Sequence, residues 1–306
     1  MKILELAQDY ENITIFRHQL SDHDAMGSQF ALKLYLKTAF PQKHIYALGH
    51  SVGACAKFYP SVDDAEDEIV ANSIAFVLDS STRERIDDQR YATAQKIIKI
   101  DHHIPVDDYA DESLVLPQAA ATCEILTFLF EEEGQALSKE IATYLYYGIS
   151  ADSLSFTTNN TSEKTLLAAS KLLPYGVDVT ATNMVMTGMD ENKFRYNALV
   201  RSHCQRKGNV AYSIMRRSEY EAYGMDYRQA KENVTALGGV EEFEIWCLFT
   251  ESEEKENYFH GSLRSRSKAL NEVASRYRGG GHKNACGVKF LTLSEIDAIV
   301  HELNLI

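Results

Sequence analysis

The sequence predicts an α/β protein of two units, the first built on a parallel sheet, and three observations predict it. Apolar runs of four to six residues alternate with segments of helical periodicity through the first half, the pattern of strand-helix-strand units. Several of these runs end in Asp or His, as expected where parallel strands release the chain at the edge that carries ligands in open α/β sheets. Over residues 187–197 the pattern gives way to the polar stretch Gly188-Met189-Asp190-Glu191-Asn192-Lys193, and a shorter alternation follows. A length of 306 residues fits two domains of roughly 150 residues each.

The elements follow in order. Ile13-Thr14-Ile15-Phe16, rich in β-branched side chains, predicts a strand over 13–17, and similar runs predict strands over 44–48, 74–78 and 96–100. Helical spacing predicts helices near 26–38, 118–132, 138–149 and 162–172, the last entered through Thr161-Ser162-Glu163. The first domain is placed at 1–186, a linker able to be helical at 187–205, and a smaller α/β domain at 206–306. Within the second, 209–215 and 242–250 read as strands, and 230–237 and 268–277 as helices.

Composition narrows the function classes. A net charge of -13 argues against tight binding of long nucleic acid, which draws its affinity from many neutralised phosphates. Residues 262–289 are the exception, with Arg264, Arg266, Lys268, Arg276, Arg278, Lys283 and Lys289 against Glu272 alone. A small anion could be held there. Asp63, Asp64, Glu66, Asp67 and Glu68 read as a solvated acidic run. The five cysteines are scattered and form no C-x-x-C pair, so they read as buried apolar side chains. No apolar stretch reaches the roughly 18 residues of a membrane span, and Glu5 and Asp9 interrupt any signal core, which leads to the expectation of a cytoplasmic protein.

The strand ends carry the chemistry. His18, Asp22 and Asp24 follow the first run, Asp79 closes Ile74-Ala75-Phe76-Val77-Leu78, Asp101-His102-His103 closes Ile97-Ile98-Lys99-Ile100, and Asp152 follows the apolar stretch 141–149. In an extended segment Asp22 and Asp24 would point to one side, where two carboxylates repel unless cations lie between them. Capping of the helix near 26–38 would account for one aspartate. It does not account for both and the histidine. The pattern points to a two-metal hydrolase.

These segments resemble the motifs of the DHH phosphoesterase superfamily, which run H-x-x-x-D-G-D-x-x-G-S, a strand-terminal Asp, D-H-H, and an Asp in a D-T/S turn. Here they read His18 to Ser28, Asp79, Asp101-His102-His103 and Asp152-Ser153. The resemblance implies one metal on His18, Asp22 and Asp79, a second on Asp24, Asp79, His102 and Asp152, and Asp79 bridging them. It also implies catalytic roles for His103 and Asp79, with Asp101 behind the ligands orienting a ligand imidazole. His23 stands where the family usually has Gly, and Ser21 where Pro is common.

Gly279-Gly280-Gly281-His282-Lys283-Asn284-Ala285-Cys286-Gly287 exceeds what a helix C-cap requires and reads as a binding loop whose backbone amides approach an anion. With Ser262-Leu263-Arg264-Ser265 it resembles the G-G-G-H and R-S motifs of the DHH-associated C-terminal domain of nanoRNase-like proteins. The resemblance implies substrate contacts from Arg264, Ser265, Gly280, Gly281 and His282, and an active site in the cleft between the units. The expected activity is hydrolysis of short oligonucleotides and 3'-phosphoadenosine 5'-phosphate using two Mn2+, with Co2+ or Mg2+ as substitutes. A phosphodiesterase for linear or cyclic dinucleotide messengers is the alternative, and a non-catalytic nucleotide sensor the alternative of another class. A homodimer is compatible with the sequence, which does not demand one.

Overall fold

Strands β1 (Asn12–Phe16), β2 (His44–Ala47), β3 (Ser73–Leu78), β4 (Lys96–Asp101) and β5 (Glu112–Val115) pair in parallel in the order β2-β1-β3-β4-β5. The computed structural model describes residues 1–49 and 55–306, which divide into units Met1–Gly188 and Met189–Ile306. β3 is buried along its whole length, as the uninterrupted Ile74-Ala75-Phe76-Val77-Leu78 demands of a central strand covered on both faces. The first four strands fall within a residue of their predicted ends. β5 has no sequence signal because its residues are exposed or half-buried and it pairs only at the sheet edge.

One face of this sheet carries the larger core, where helices His23–Ala39, Thr122–Glu133 and Lys139–Asp152 bury Met26, Phe30, Leu126, Phe130, Leu145 and Ile149 against Ile13, Ile15, Phe76 and Ile98. Helices His23–Ala39 and Lys139–Asp152 approach closely because glycine faces each partner. A methyl group at Gly27 would lie 2.5 Å from the Tyr144 carbonyl oxygen, and one at Gly148 would lie 2.7 Å from Asp24 Oδ1 and strike Cys123. This crossing brings the start of one helix beside the end of the other. Helix Glu163–Leu172 opens on the capping box of Ser162 and Thr165, close to its predicted start.

In the second unit, β6 (Gln205–Lys207), β7 (Val210–Met215), β8 (Ile245–Glu251), β9 (Phe259–Ser265), β10 (Gly280–His282) and β11 (Ala285–Leu291) form a mixed sheet ordered β10-β11-β9-β8-β7-β6. β7 and β8 are parallel and the other pairs antiparallel. One face packs on helices Asn271–Arg276 and Leu293–Leu303, the other on helix Glu191–Ser202 and the segment 225–237. The predicted linker 187–205 contains helix Glu191–Ser202, and the division between units falls at its start. Among the described residues the five cysteines are free thiols, and no helix is long and apolar enough to cross a membrane.

Gly148→Ala should lower stability by roughly 1–3 kcal/mol, the usual cost of overpacking a tight contact. Urea denaturation checks this, and an unchanged midpoint would mean that the helices can separate freely.

Candidate metal centre

The order β1-β3-β4 within the sheet sets three strand ends side by side, so the residues just beyond them emerge at one edge. His18 leaves β1 through Arg17, whose buried guanidinium donates to Asp87 (2.8 Å) and to the His18 carbonyl oxygen (3.3 Å). Asp79 ends β3 in the left-handed region, at φ 54°, a conformation that Asp tolerates better than most side chains. Asp101, His102 and His103 end β4, and Asp152 is the last residue of helix Lys139–Asp152.

Asp22 and Asp24 do not lie in an extended segment, as their spacing suggested. Asp22 is the N-cap of helix His23–Ala39, its Oδ1 accepting from the Asp24 and Ala25 amides at 3.0 and 3.1 Å. Asp24 sits in the first turn, fully buried, and accepts the Thr122 and Cys123 amides at 2.6 and 2.9 Å. Both carboxylates therefore meet helix N-termini, where the dipole favours negative charge.

Asp79 is the hub. Its Oδ2 lies 3.3 Å from His18 Nε2, and its Oδ1 lies 3.4 Å from His102 Nε2 and accepts from Thr122 Oγ1 at 3.2 Å. His18 Nε2 is 3.8 Å from Asp22, and His102 Nε2 is 3.3 Å from Asp152 and 3.9 Å from Asp24. Three groups can each close on one ion, with candidate ligand atoms within 4.8 Å: His18 with Asp22 and Asp79, Asp24 with His102 and Asp152, and Asp79 with His102 and His103. His102 Nε2 is buried among these carboxylates without a hydrogen bond of good geometry. Imidazole nitrogen with carboxylate oxygen suits a divalent ion of intermediate hardness.

Electrostatics point the same way. Burial opposes charge on His18, but Asp79, helped by the Gln19 carbonyl and Asp22, lifts its pKa to about 9. Burial likewise opposes charge on His102, yet Asp152, Asp79 and Asp24 lift it to about 12. Burial would raise Asp79, but His102 and His18 hold its carboxyl far below the usual range. Burial, then Asp79 and Asp152, push Asp24 well above it. Burial also raises Asp152 against the pull of His102. The cluster recruits positive charge, which divalent cations would supply.

The imidazoles are oriented differently from expectation. His18 Nδ1 meets the Gln19 carbonyl oxygen at 2.8 Å and His102 Nδ1 the Ala119 carbonyl oxygen at 3.3 Å, so backbone turns both Nε2 atoms inward. Asp101 instead holds His103 Nδ1 at 2.8 Å. Residues two apart in an extended segment share a side, so Asp101 reaches His103 and not His102. The same alternation brings in Lys99, whose buried ammonium lies 3.4 Å from Asp101 Oδ2, donates to the Ser81 carbonyl oxygen at 3.2 Å and stacks on Tyr109. Lys99, Arg17 and Thr122 were missed in the sequence. The Lys-x-Asp-x-His spacing was the available signal for Lys99.

The His23 ring packs against Phe58, Tyr59 and Tyr147 and belongs to none of the three candidate ligand groups. Burial, opposed by Asp22, pushes its pKa down to about 4.

In the second unit, the binding loop expected over 279–287 is a hairpin instead. Gly280 and Gly281 lie in β10, paired with Gly287 and Cys286, because small residues on both strands allow close pairing. Gly281, at φ 138°, leaves no room for a side chain against the Ala285 carbonyl oxygen. Ala285 lies opposite both His282 and Arg264, so those two share one face of the sheet, separated by two strand spacings or about 10 Å. Arg264 is half-buried and donates to the Leu263 carbonyl oxygen at 2.9 Å. Ser265 is on the opposite face, donating to the Lys268 carbonyl oxygen at 2.6 Å and accepting from Asn284 at 3.0 Å. Arg276 and Arg278 pair with Glu302 and Glu295, and Arg266 donates to the Val240 and Phe243 carbonyl oxygens.

Residues 12–149 match the DHH family, N-terminal domain, and residues 207–306 match the DHHA1 domain. The chain belongs to the DHH family of phosphoesterases, which are hydrolases. It is 32% identical over 302 residues to the probable bifunctional oligoribonuclease and PAP phosphatase NrnA of Streptococcus mutans, covering 98% of this chain and 96% of that one. It is 30% identical to the bifunctional oligoribonuclease and PAP phosphatase NrnA of Bacillus subtilis, covering 96% and 94%. The fold is shared with an exopolyphosphatase-related protein from Bacteroides fragilis, at TM-score 0.83 and 24% identity over 98% of this chain and 93% of that one.

Removing Lys99 should strand a buried carboxylate. Lys99→Met is expected to cost roughly 3–5 kcal/mol, with part recovered in the Lys99→Met/Asp101→Asn double variant. Chemical denaturation of both checks the pair, and an unchanged single variant would show that Asp101 is stabilised by other groups.

Proposed function

We propose that this chain is a manganese-dependent phosphoesterase that hydrolyses short oligonucleotides and 3'-phosphoadenosine 5'-phosphate, with two metal ions per chain. The observation that carries this reading is the Asp79 carboxylate, with one oxygen turned to His18 and the other to His102 at 3.3 and 3.4 Å. The names of the relatives support the substrate class. The net charge of -13 disfavours long nucleic acid, and the reading includes a cytoplasmic location.

His18, Asp22 and Asp79 would hold one cation, and Asp24, Asp79, His102 and Asp152 the other. When bound, such a pair supplies a nucleophile usable at neutral pH and steadies the attacking and leaving oxygens of an in-line displacement. The chain's own residues do the rest. His103, fixed by Asp101 and backed by Lys99, would present its free ring nitrogen to the phosphoryl oxygens and balance their developing charge. Arg264 and His282 would bind the substrate's terminal phosphate, Gly280 and Gly281 keeping that surface bare. Ser265 would act by closing the loop behind Arg264.

A manganese-supplemented assay across a dinucleotide, a pentanucleotide, a cyclic dinucleotide and 3'-phosphoadenosine 5'-phosphate tests the reading. Asp79→Ala should lose about a thousandfold or more in kcat, because both cations lose a ligand. Near-normal turnover would refute the bridging role. Arg264→Ala should raise KM for a dinucleotide about tenfold while leaving manganese uptake intact. Unchanged kinetics would remove Arg264 from the site.

A further inference from the structure

His23 has no part in the mechanism above, yet it lines a cavity of about 310 Å³ in the first unit, together with Ser150, Ala151, Leu154, Val185 and Met186. The chain itself sets this cavity beside the metal centre. His23 lies between Asp22 and Asp24, and Ser150 and Leu154 straddle Asp152. The volume stands at the small end of the range for ligand sites, suited to a base or nucleoside and too small for a dinucleotide.

The polar groups in its wall are specific. The His23 ring is fixed by Phe58, Tyr59 and Tyr147, at centroid separations of 5.6, 5.7 and 5.7 Å. The Tyr59 hydroxyl lies 3.1 Å from the His23 carbonyl oxygen and 3.0 Å from Nδ1, and both contacts are hydrogen bonds of a neutral ring only in the tautomer in which Tyr59 donates to the carbonyl and accepts from Nδ1–H. Nε2 is then the lone-pair nitrogen, a hydrogen-bond acceptor. The Ser150 hydroxyl is buried to 1% exposure and lacks a hydrogen bond of normal geometry, the Tyr146 phenol one turn away only approaching it. An unmatched buried hydroxyl in a cavity wall calls for a partner.

The rim is strained. Leu154, Ser155 and Phe156 are three successive left-handed residues at φ 45°, 56° and 67°, a conformation costing about 1–3 kcal/mol at each. The Ser155 amide bonded to the Ser150 carbonyl oxygen (2.7 Å) and the Phe156 amide bonded to Ser153 Oγ (3.0 Å) hold it. The outcome is Leu154 exposed at the mouth, an apolar face for a flat ring.

We propose that this cavity seats the nucleobase adjoining the hydrolysed phosphate, and that His23 selects bases with an exocyclic amino group by accepting from it at Nε2. The inference rests on the phosphoesterase reading above. It assigns the substrate's base to a pocket, and to a residue that stands where the family usually has glycine.

Adenosine and inosine monophosphates differ at this position by an amino group against a carbonyl. Calorimetric titration of the full-length protein in manganese should show AMP binding about tenfold tighter than IMP, the weight of one hydrogen bond. His23→Ala should bring the two within about twofold, and Val185→Trp, which fills the cavity from helix Val179–Thr187, should weaken both. Failure of AMP to bind, equal binding by the wild type, or a preference surviving in His23→Ala or Val185→Trp would each overturn the proposal. Failure of the phosphoesterase reading has a separate signature, a wild type that hydrolyses no phosphate ester whatever its AMP and IMP affinities.

Discussion

A carboxylate that is 2% exposed keeps its charge only if positive groups meet both of its oxygens, and Asp79 meets that condition with His18 on one side and His102 on the other. The neighbouring candidate ligands depend on this arrangement. Asp22 lies on the His18 side, and Asp24 and Asp152 lie on the His102 side, so the negative charge is divided into two lobes that share one residue. Helix N-termini at Asp22 and Asp24 and an imidazole against Asp152 lower the cost of gathering so many acids in one buried place.

The scaffold supplies the rest through elementary packing. Adjacent parallel strands deliver His18, Asp79 and the Asp101 segment to one edge, and the glycine-mediated crossing at Gly27 and Gly148 brings the beginning of one helix to the end of another. Behind the ligands, Arg17 with Asp87 anchors the His18 loop, and Lys99 with Asp101 anchors His103. Two buried cations thus serve the site without entering it.

The strand ends were legible because buried parallel strands are written as unbroken apolar runs, and an Asp or His after such a run is conspicuous. β5, β6, β9, β10 and β11 were not, since short edge strands and glycine-containing pairs owe their conformation to partners far along the chain. The candidate residues could be read, while their supports could not. Asp101 reaches His103 rather than His102, Asp22 caps its helix, and Asp24 receives amides from residues nearly a hundred positions away. Those contacts are consequences of tertiary packing. The glycine string was conspicuous, but its hairpin conformation depends on the register with β11.

The acidic balance of the chain and its basic stretch at 262–289 fit a protein that handles small anions. The central claim, one carboxylate shared by two cations, is tested most directly by manganese titration followed by electron paramagnetic resonance. Two manganese ions per chain giving an exchange-coupled signal, converted to a single uncoupled ion in Asp79→Asn, is the predicted result. Two uncoupled ions in the wild type, or coupling that survives in the variant, would contradict it.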